Sequence, residues 1–173
     1  MTVTPAPSDL LEGLPPVIGR GTRVVVLGSF PGAASLAAGQ YYAHPRNQFW
    51  PLLSALCGTD FAALPYRRRL AALRRHGVGL WDVYASCRRQ GSLDSAIQDA
   101  VLNDLASLPR RAPALRALLH NGGESSRAMK FTRALGLPVR QLPSTSPANA
   151  SWSFARKLAA WRAAFEECGV QVV

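Results

Sequence analysis

The sequence has few cysteines and histidines, and neither residue type is clustered. Its three cysteines, Cys57, Cys87 and Cys168, lie far apart and form no CxxC pair, and its three histidines are equally scattered. Metal sites usually show short spacings between ligands, and disulfide-stabilised domains are rich in cysteine. This distribution argues against a zinc site, an iron–sulfur cluster and a disulfide framework. We therefore expect no metal and no other cofactor.

The sequence also lacks a long apolar run. No stretch approaches the ~20 apolar residues that a membrane-spanning helix needs. Residues 1–16 hold Asp9 and Glu12 among several prolines and have no basic start, which differs from a secretory signal. We therefore expect a cytoplasmic protein without a membrane partner, and a flexible N-terminal arm over residues 1–20.

Lysine is scarce, although the chain is strongly basic. The net charge is +10, yet Lys130 and Lys157 are the only lysines, so the positive charge is almost entirely arginine. A basic domain favours polyanionic partners, because neutralising phosphates releases condensed counterions. The alternative is that clusters such as residues 67–69 are solvated helix faces. Charge alone thus favours nucleic acid as the partner and says nothing about the fold.

The remaining composition indicates one globular α/β domain, which we assign to residues 21–173. Short, largely apolar segments predict strands at residues 24–27, 78–83 and 115–120, and residues 139–142 are predicted as a fourth strand. Helical periodicity predicts helices at residues 47–56, 64–75, 92–105, 125–135 and 153–168. Strands that alternate with helices favour a three-layer α/β/α domain with a central four-stranded parallel sheet.

Right-handed crossovers would place the carboxyl ends of all four strands on one edge of this sheet. The loops that would meet there are residues 28–47, 82–89, 121–126 and 144–149. They contain no phosphate-binding GxxxxGK[ST] pattern and no GxSxG nucleophile turn, which argues against a P-loop NTPase and an α/β-hydrolase. Their side chains are mostly hydroxyls, amides and aromatic rings. Such an edge suits the recognition of a neutral heterocycle by stacking and hydrogen bonds.

Five blocks in these segments together resemble one known family. They are Gly28-Ser29-Phe30-Pro31-Gly32, residues 41–50, residues 79–83, His120-Asn121-Gly122 and residues 142–149. In this order they are similar to the uracil-DNA glycosylase superfamily, and most similar to its hypoxanthine-DNA glycosylase branch, over about residues 24–161. The resemblance implies a monofunctional DNA glycosylase that releases deaminated bases, hypoxanthine first, from double-stranded DNA and so initiates base excision repair.

Two positions depart from other branches of the superfamily. Phe30 stands where the mismatch-specific enzymes have a water-holding Asn, and Leu142 stands where the family-1 uracil enzymes have a His. The resemblance therefore leaves Asn47 as the catalytic amide. A uracil or mismatch-type glycosylase is the nearest alternative. A non-catalytic module that binds nucleic acid at the same edge is an alternative from another class.

The chemistry of glycosidic cleavage is compatible with an amide. When the base departs, positive charge develops on the sugar and negative charge on the base, so oriented dipoles can drive the reaction without a strong base. The Asn47 oxygen can orient a water against the sugar carbon. The alternative role for Asn47 is to cap the helix that begins beside it.

The resemblance and the residue types also predict the groups that hold the base. Tyr42 is expected to stack on the flipped ring, whereas Tyr41, Phe49 and Trp50 fit core packing at least as well. The other base-binding candidates are the backbone amides of Ser29 and Phe30, the carboxylate of Asp82 as acceptor of a ring N–H, and His44 beside the leaving base. For Asp82 the alternative is a turn cap, and for His44 it is a structural hydrogen bond.

DNA contacts are predicted at the last loop and the helix after it. Hydroxyl and backbone N–H groups can bind phosphates without reading sequence. The candidates are Ser144, Thr145, Ser146, Pro147, Ala148, Asn149, Arg156 and Lys157. The alternative is a rigid turn before the last helix. Neither lysine lies in a candidate site loop, so a Schiff-base step has no evident nucleophile. We expect a monomer.

Overall fold

The computed structural model describes residues 9–173, and this part of the chain contains seven strands and seven helices. The strands are β1 (Leu10–Glu12), β2 (Val24–Gly28), β3 (Val78–Asp82), β4 (Tyr84–Arg88), β5 (Gln98–Leu102), β6 (Ala117–Asn121) and β7 (Val139–Leu142). The helices are α1 (Ala33–Ala38), α2 (Phe49–Cys57), α3 (Tyr66–Arg75), α4 (Leu108–Arg111), α5 (Gly123–Ser126), α6 (Met129–Arg133) and α7 (Phe154–Glu167). Single 3₁₀ turns lie at Phe61–Ala63, Asp94–Ala96 and Leu105–Ser107.

The centre of the molecule is a parallel sheet with strand order β3-β2-β6-β7. Every residue of β2, β3 and β6 is buried, as expected for parallel strands that are covered on both faces. The predicted four-stranded parallel sheet is therefore confirmed.

Two hydrophobic clusters cover the two faces of this sheet. Because side chains alternate along a strand, Val24 and Val26 enter one cluster while Val25 and Leu27 enter the other. The first cluster contains the buried faces of α2, α3 and α7, and the second is built mainly around α4 and the start of α6. The predicted three layers are confirmed, and the rings of Tyr41, Phe49 and Trp50 lie in the first cluster, as core packing predicted.

A second, antiparallel sheet of order β1-β4-β5 was not predicted. The prediction of a helix over residues 92–105 is wrong. The centre of this segment forms the 3₁₀ turn Asp94–Ala96 and the strand β5. Ile97, Val101 and Leu102 have helical spacing, yet Val101 is 57% exposed. β5 instead pairs with β4 through a register that shifts twice. Pairing with a neighbouring strand has thus overridden the local periodicity.

The expected N-terminal arm lies partly outside the described residues, which begin at residue 9. In its described part, β1 pairs with β4, and Val17 exchanges two backbone hydrogen bonds with Leu80, 2.8 and 2.9 Å long. The helix α1 was not predicted, and the helix expected over residues 125–135 is divided into α5 and α6. Within the described residues, no helix has the length and apolar character needed to cross a membrane.

Candidate active site

A cleft of about 1110 Å³ opens where the parallel strands end. It is lined by the residues that follow β2, by the last residues of β3 and β6, and by the segment from β7 to α7. Residues 92–95, which precede β5, close one side of it. The structure therefore brings parts of all four predicted loops together at the carboxyl edge of the sheet, where open α/β sheets bind their ligands.

Asn47 lies at the start of α2 and lines the cleft. Its Oδ1 accepts a hydrogen bond of 2.9 Å from the backbone N–H of Phe49, which satisfies one of the free donors of the first helical turn. The side chain therefore caps this N–H from the residue before the N-cap, which is Gln48 and makes no capping bond with its own side chain, so the role is close to the structural alternative. An amide oxygen has two lone pairs, so Oδ1 can still accept a second hydrogen bond from a molecule in the cleft.

Tyr42 presents its ring to the cleft from a strained backbone position. Its φ of 54° is in the left-handed region, which a tyrosine rarely adopts. The ring is stacked on Phe49, and Asn121 Nδ2 donates to its hydroxyl at 3.2 Å. Burial, with a smaller effect from the charge of Asp82, raises the pKa of Tyr42 above its ordinary value, while the bond from Asn121 opposes this shift. The hydroxyl is therefore protonated.

Asn121, the last residue of β6, connects two loops of the cleft. Its Oδ1 accepts from the backbone N–H of Thr145 at 3.0 Å, and its Nδ2 donates to Thr145 Oγ1 at 3.0 Å as well as to Tyr42. Sequence analysis placed Asn121 in a loop at this edge but gave it no role. Its position at the end of a central strand, equivalent to that of Asp82 on β3, was the signal that could have identified it.

Asp82 is only 4% exposed, although it lines the cleft. No described residue forms a hydrogen bond with its Oδ2. The N–H groups of the turn that follows, at Val83 and Tyr84, donate to the carbonyls of Gly28 and Ser29, so the turn-cap alternative is not supported. Burial, as the largest cause, and the charge of Asp94 raise the pKa of Asp82 to about 7, while the charge of Arg89 opposes this shift.

The loop after β2 is held by residues that sequence analysis did not single out. Ser29 Oγ donates to Asp94 Oδ1 at 2.6 Å, and the backbone N–H of Ala33 donates to Ser92 Oγ at 2.9 Å. Phe30 is buried, with the Arg89 guanidinium 5.3 Å from its ring centroid. These bonds attach residues 92–95 to the cleft. They join positions about 60 residues apart, which no local pattern could reveal.

His44 lines the cleft, and its ring forms a hydrogen bond with the backbone two residues further on. Its Nδ1 accepts a hydrogen bond of 3.1 Å from the backbone N–H of Arg46, which also lines the cleft. This contact is the structural hydrogen bond that was the alternative for His44. Its Nε2 is the ring nitrogen left for a ligand.

A model of the uracil DNA glycosylase superfamily matches residues 15–167 of the chain. The chain belongs to this superfamily. It is 40% identical over 155 residues to a Methanosarcina barkeri protein named hypoxanthine DNA glycosylase, a match that covers 90% of this chain and 98% of that protein. A Methanosarcina acetivorans protein of the same name is 35% identical over 154 residues, with coverage of 89% and 97%. The family that the sequence motifs predicted is confirmed.

A solved structure supports the same assignment. A Methanosarcina acetivorans protein provisionally named a uracil DNA glycosylase, solved by solution NMR, superposes with a TM-score of 0.84 at 34% sequence identity. The match covers 93% of this chain and 99% of that one. The superfamily fold therefore extends over nearly the whole described chain.

In this superfamily member, the segment from β7 to α7 has internal hydrogen bonds as well as bonds to the rest of the domain. Ser144 Oγ accepts from the N–H of Ser146, Ser146 Oγ accepts from that of Ala148, and Asn149 Nδ2 donates to the Ser144 carbonyl, all at 3.1 to 3.2 Å. Thr145 is fully buried and bonded to Asn121. Thr145 therefore holds the loop in place, and its burial does not favour the predicted DNA contact. Residues 144–149 all line the cleft.

The two basic residues predicted beside this loop have different environments. Lys157 is only 2% exposed, and its Nζ donates to Gln48 Oε1 at 2.8 Å. The burial of its ammonium does not favour the prediction of Lys157 as a phosphate contact. Arg156 is exposed, and its guanidinium lies 3.6 Å from the ring centroid of Trp152, which lines the cleft.

Proposed function

We propose that this protein is a monofunctional DNA glycosylase that hydrolyses the N-glycosidic bond of deaminated bases in double-stranded DNA, with hypoxanthine as the main substrate. Membership of the superfamily and the two relatives named hypoxanthine DNA glycosylase support this proposal. The observation that carries it is the cleft, in which an aromatic ring, an amide and a buried carboxyl lie together at the ends of the central strands. The proposal includes a monomer that acts in the cytoplasm without a metal or other cofactor.

In the proposed reaction, the bond between base and sugar breaks as a water attacks the sugar carbon. Asn47 holds this water through the free lone pair of Oδ1, and its bond to Phe49 fixes the direction of the amide. Because the developing charges are met by oriented dipoles, no strong general base is required.

The flipped base is proposed to lie against Tyr42, which replaces part of the stacking lost on leaving the duplex. Phe49 supports the far side of this ring. The backbone N–H groups of Ser29 and Phe30, which follow the end of β2, are proposed to donate to a base carbonyl. His44 is proposed to lie beside the leaving base. Asp82 is the buried carboxyl group of the cleft.

The DNA strand is proposed to cross the edge of the cleft at the loop before α7. Ser144 and Ser146 offer hydroxyls, and Arg156 offers a positive charge at the start of α7. Pro147, Ala148 and Asn149 form the part of the loop that would face the vacated stack. Lys130 is outside the cleft and Lys157 is buried, so neither supplies an amine for a lyase step.

A uracil-type glycosylase is the second candidate, and the solved structure provisionally named in that way favours it. Single-turnover release of free base from duplexes that contain hypoxanthine, xanthine or uracil tests both. Release of hypoxanthine faster than uracil supports the proposal, and the opposite order supports the second candidate. Tight binding of these duplexes with no release from any of them would show a non-catalytic binding module instead.

A further inference from the structure

The carboxyl of Asp82 occupies a space that the neighbouring strand leaves open. Gly28 lies beside Asp82 in the register of β2 and β3. A Cβ added to Gly28 would overlap Asp82 Oδ1 and would lie 3.3 Å from the Tyr42 hydroxyl. Glycine at position 28 thus leaves room for the Asp82 carboxyl group near the hydroxyl of the ring that we propose stacks on the base.

The groups that face Asp82 do not neutralise a negative charge on it. The charge of Arg89 lowers the pKa of Asp82, but the Arg89 guanidinium donates to the carbonyls of Gly91 and Pro31 and forms no ion pair with Asp82 among residues 9–173. The other facing groups are Asp94, which adds negative charge, and the hydroxyls of Tyr41 and Tyr42. A buried, unpaired carboxylate is costly, whereas a neutral carboxyl group is not.

We propose, on the basis of the function proposed above, that Asp82 recognises the flipped base as a neutral carboxylic acid. Its C=O accepts the ring N–H of the base, and its O–H donates to the adjacent base carbonyl oxygen. The group recognised is therefore the lactam edge, an N–H next to a C=O. Hypoxanthine, xanthine and uracil all carry this edge, which defines the substrate class of the cleft.

The neutral form also suits the departure of the base. Negative charge develops on the base and its carbonyl oxygen as the glycosidic bond breaks, so an ionised carboxylate in contact would oppose the reaction. An O–H donor stabilises that charge instead. No proton needs to be transferred, since the hydrogen bond alone lowers the energy of the anion. The pKa of Asp82, raised by burial to about 7, is compatible with a neutral group at and below neutral pH.

Single-turnover base release between pH 6 and pH 8 tests this role with three forms of the protein. In the wild type, the neutral fraction of an acid with a pKa of about 7 falls about tenfold over this range, and the rate should fall with it. Asp82→Asn keeps one acceptor and one donor but cannot ionise, so its rate should vary less than about twofold. Asp99→Asn, at an exposed acid on β5, is the matched control and should retain the wild-type profile.

Binding provides a second readout that does not depend on the chemical step. A duplex with a non-hydrolysable 2′-fluoro-deoxyinosine should bind the wild type about tenfold more weakly at pH 8 than at pH 6, after correction for the change with an undamaged duplex. Asp82→Asn should lose this difference. Asp82→Ala, which has neither donor nor acceptor, should release base slowly at both pH values.

A wild-type rate that is flat from pH 6 to pH 8, or an Asp82→Asn variant with the same alkaline fall as the wild type, would overturn the role of Asp82. So would an Asp82→Asn variant that is folded but as inactive as Asp82→Ala, because a charged carboxylate would then be required. Each of these results leaves the glycosylase activity intact in the wild type. Absence of base release from the wild type at every pH would instead reject the proposed function itself.

Discussion

The rings of Tyr42 and Phe49 are stacked, with centroids 4.1 Å apart and planes 22° from parallel. Phe49 is fully buried and contacts Trp50 and Trp161 edge-on, so one face of Tyr42 lies against the core of the domain. Tyr42 has a left-handed backbone conformation and lines the cleft. A base that enters the cleft would thus meet a ring whose position is already fixed.

We expect Tyr42→Ala to weaken engagement of the damaged base by about 1 to 3 kcal/mol, the range for one base–aromatic stack. Tyr42→Phe should be nearly silent, because Asn121 Nδ2 retains its bond to Thr145 when the tyrosine hydroxyl is removed. Single-turnover base release and the affinity for a non-cleavable substrate duplex measure both effects.

Trp50→Ala is the control for loss of core packing at the same end of α2. Truncation of a buried aromatic typically destabilises a domain by about 3 to 5 kcal/mol, and Tyr42→Ala should destabilise it clearly less in thermal melting. If the two variants melt alike, or if Tyr42→Phe abolishes base release, the stacking role of Tyr42 is wrong.

For Asn47→Ala we expect a loss of about 100-fold or more in single-turnover base release, as for removal of one preorganised polar contact. The same substitution removes the cap of α2 and should destabilise the protein by about 1 kcal/mol. Asn47→Asp keeps an oxygen that can cap the helix, so its melting temperature should stay close to that of the wild type. Base release by Asn47→Ala at the wild-type rate would leave the cap as the only role of Asn47.

Affinity for undamaged duplex should fall steeply with salt, with a log–log slope near −0.9 for each phosphate neutralised. Arg156→Ala should reduce the magnitude of this slope by about one such unit, because Arg156 is exposed beside the cleft. Arg68→Ala, at an exposed position on α3 away from the cleft, is the matched control and should change it less. Equal slopes for Arg156→Ala and the wild type would remove Arg156 from the DNA-binding surface.

Asp82 should also make the stability of the free protein depend on pH. Its pKa in the folded state is about 7, above the ordinary value of 3.8, so between these values the folded state binds more protons than the unfolded state. Stability from this group is therefore greatest below pH 4, decreases by up to ~1.4 kcal/mol per pH unit as pH rises to about 7, and is constant above that. Asp82→Asn should raise the melting temperature relative to the wild type by more at pH 8 than at pH 5. An equal difference at both pH values would show that Asp82 is ionised in the folded protein.

The central sheet was predictable because its strands carry continuous apolar runs that belong to no amphipathic helix. The run at residues 24–27 shows this. Val139–Leu142 was predicted with its exact bounds, although its two middle residues are polar and exposed. β5 was not predictable, because its stability comes from pairing with β4 and its apolar residues happen to have helical spacing. Asp99, at a φ of 51°, adds a backbone irregularity that a regular pattern does not contain.

The candidate site was predictable to the extent that parallel strands place their carboxyl ends together. Asn47, Tyr42 and Asp82 line the cleft for this reason. The sequence could not show which of two adjacent basic residues is buried. Arg156 is exposed, whereas Lys157 is buried and its Nζ donates to Gln48. The link from Asn121 to Thr145 spans 24 residues and was likewise invisible in the sequence.

The single amide of Asn121 serves two loops at once, and this has a thermodynamic consequence. Its nitrogen bonds both Tyr42 and Thr145, so the loop before α2 and the loop before α7 share one donor group. A change in either loop alters the position that the amide can adopt for the other. Effects of substitutions in these two loops should therefore be non-additive, and the two halves of the cleft should gain or lose their order as one cooperative unit.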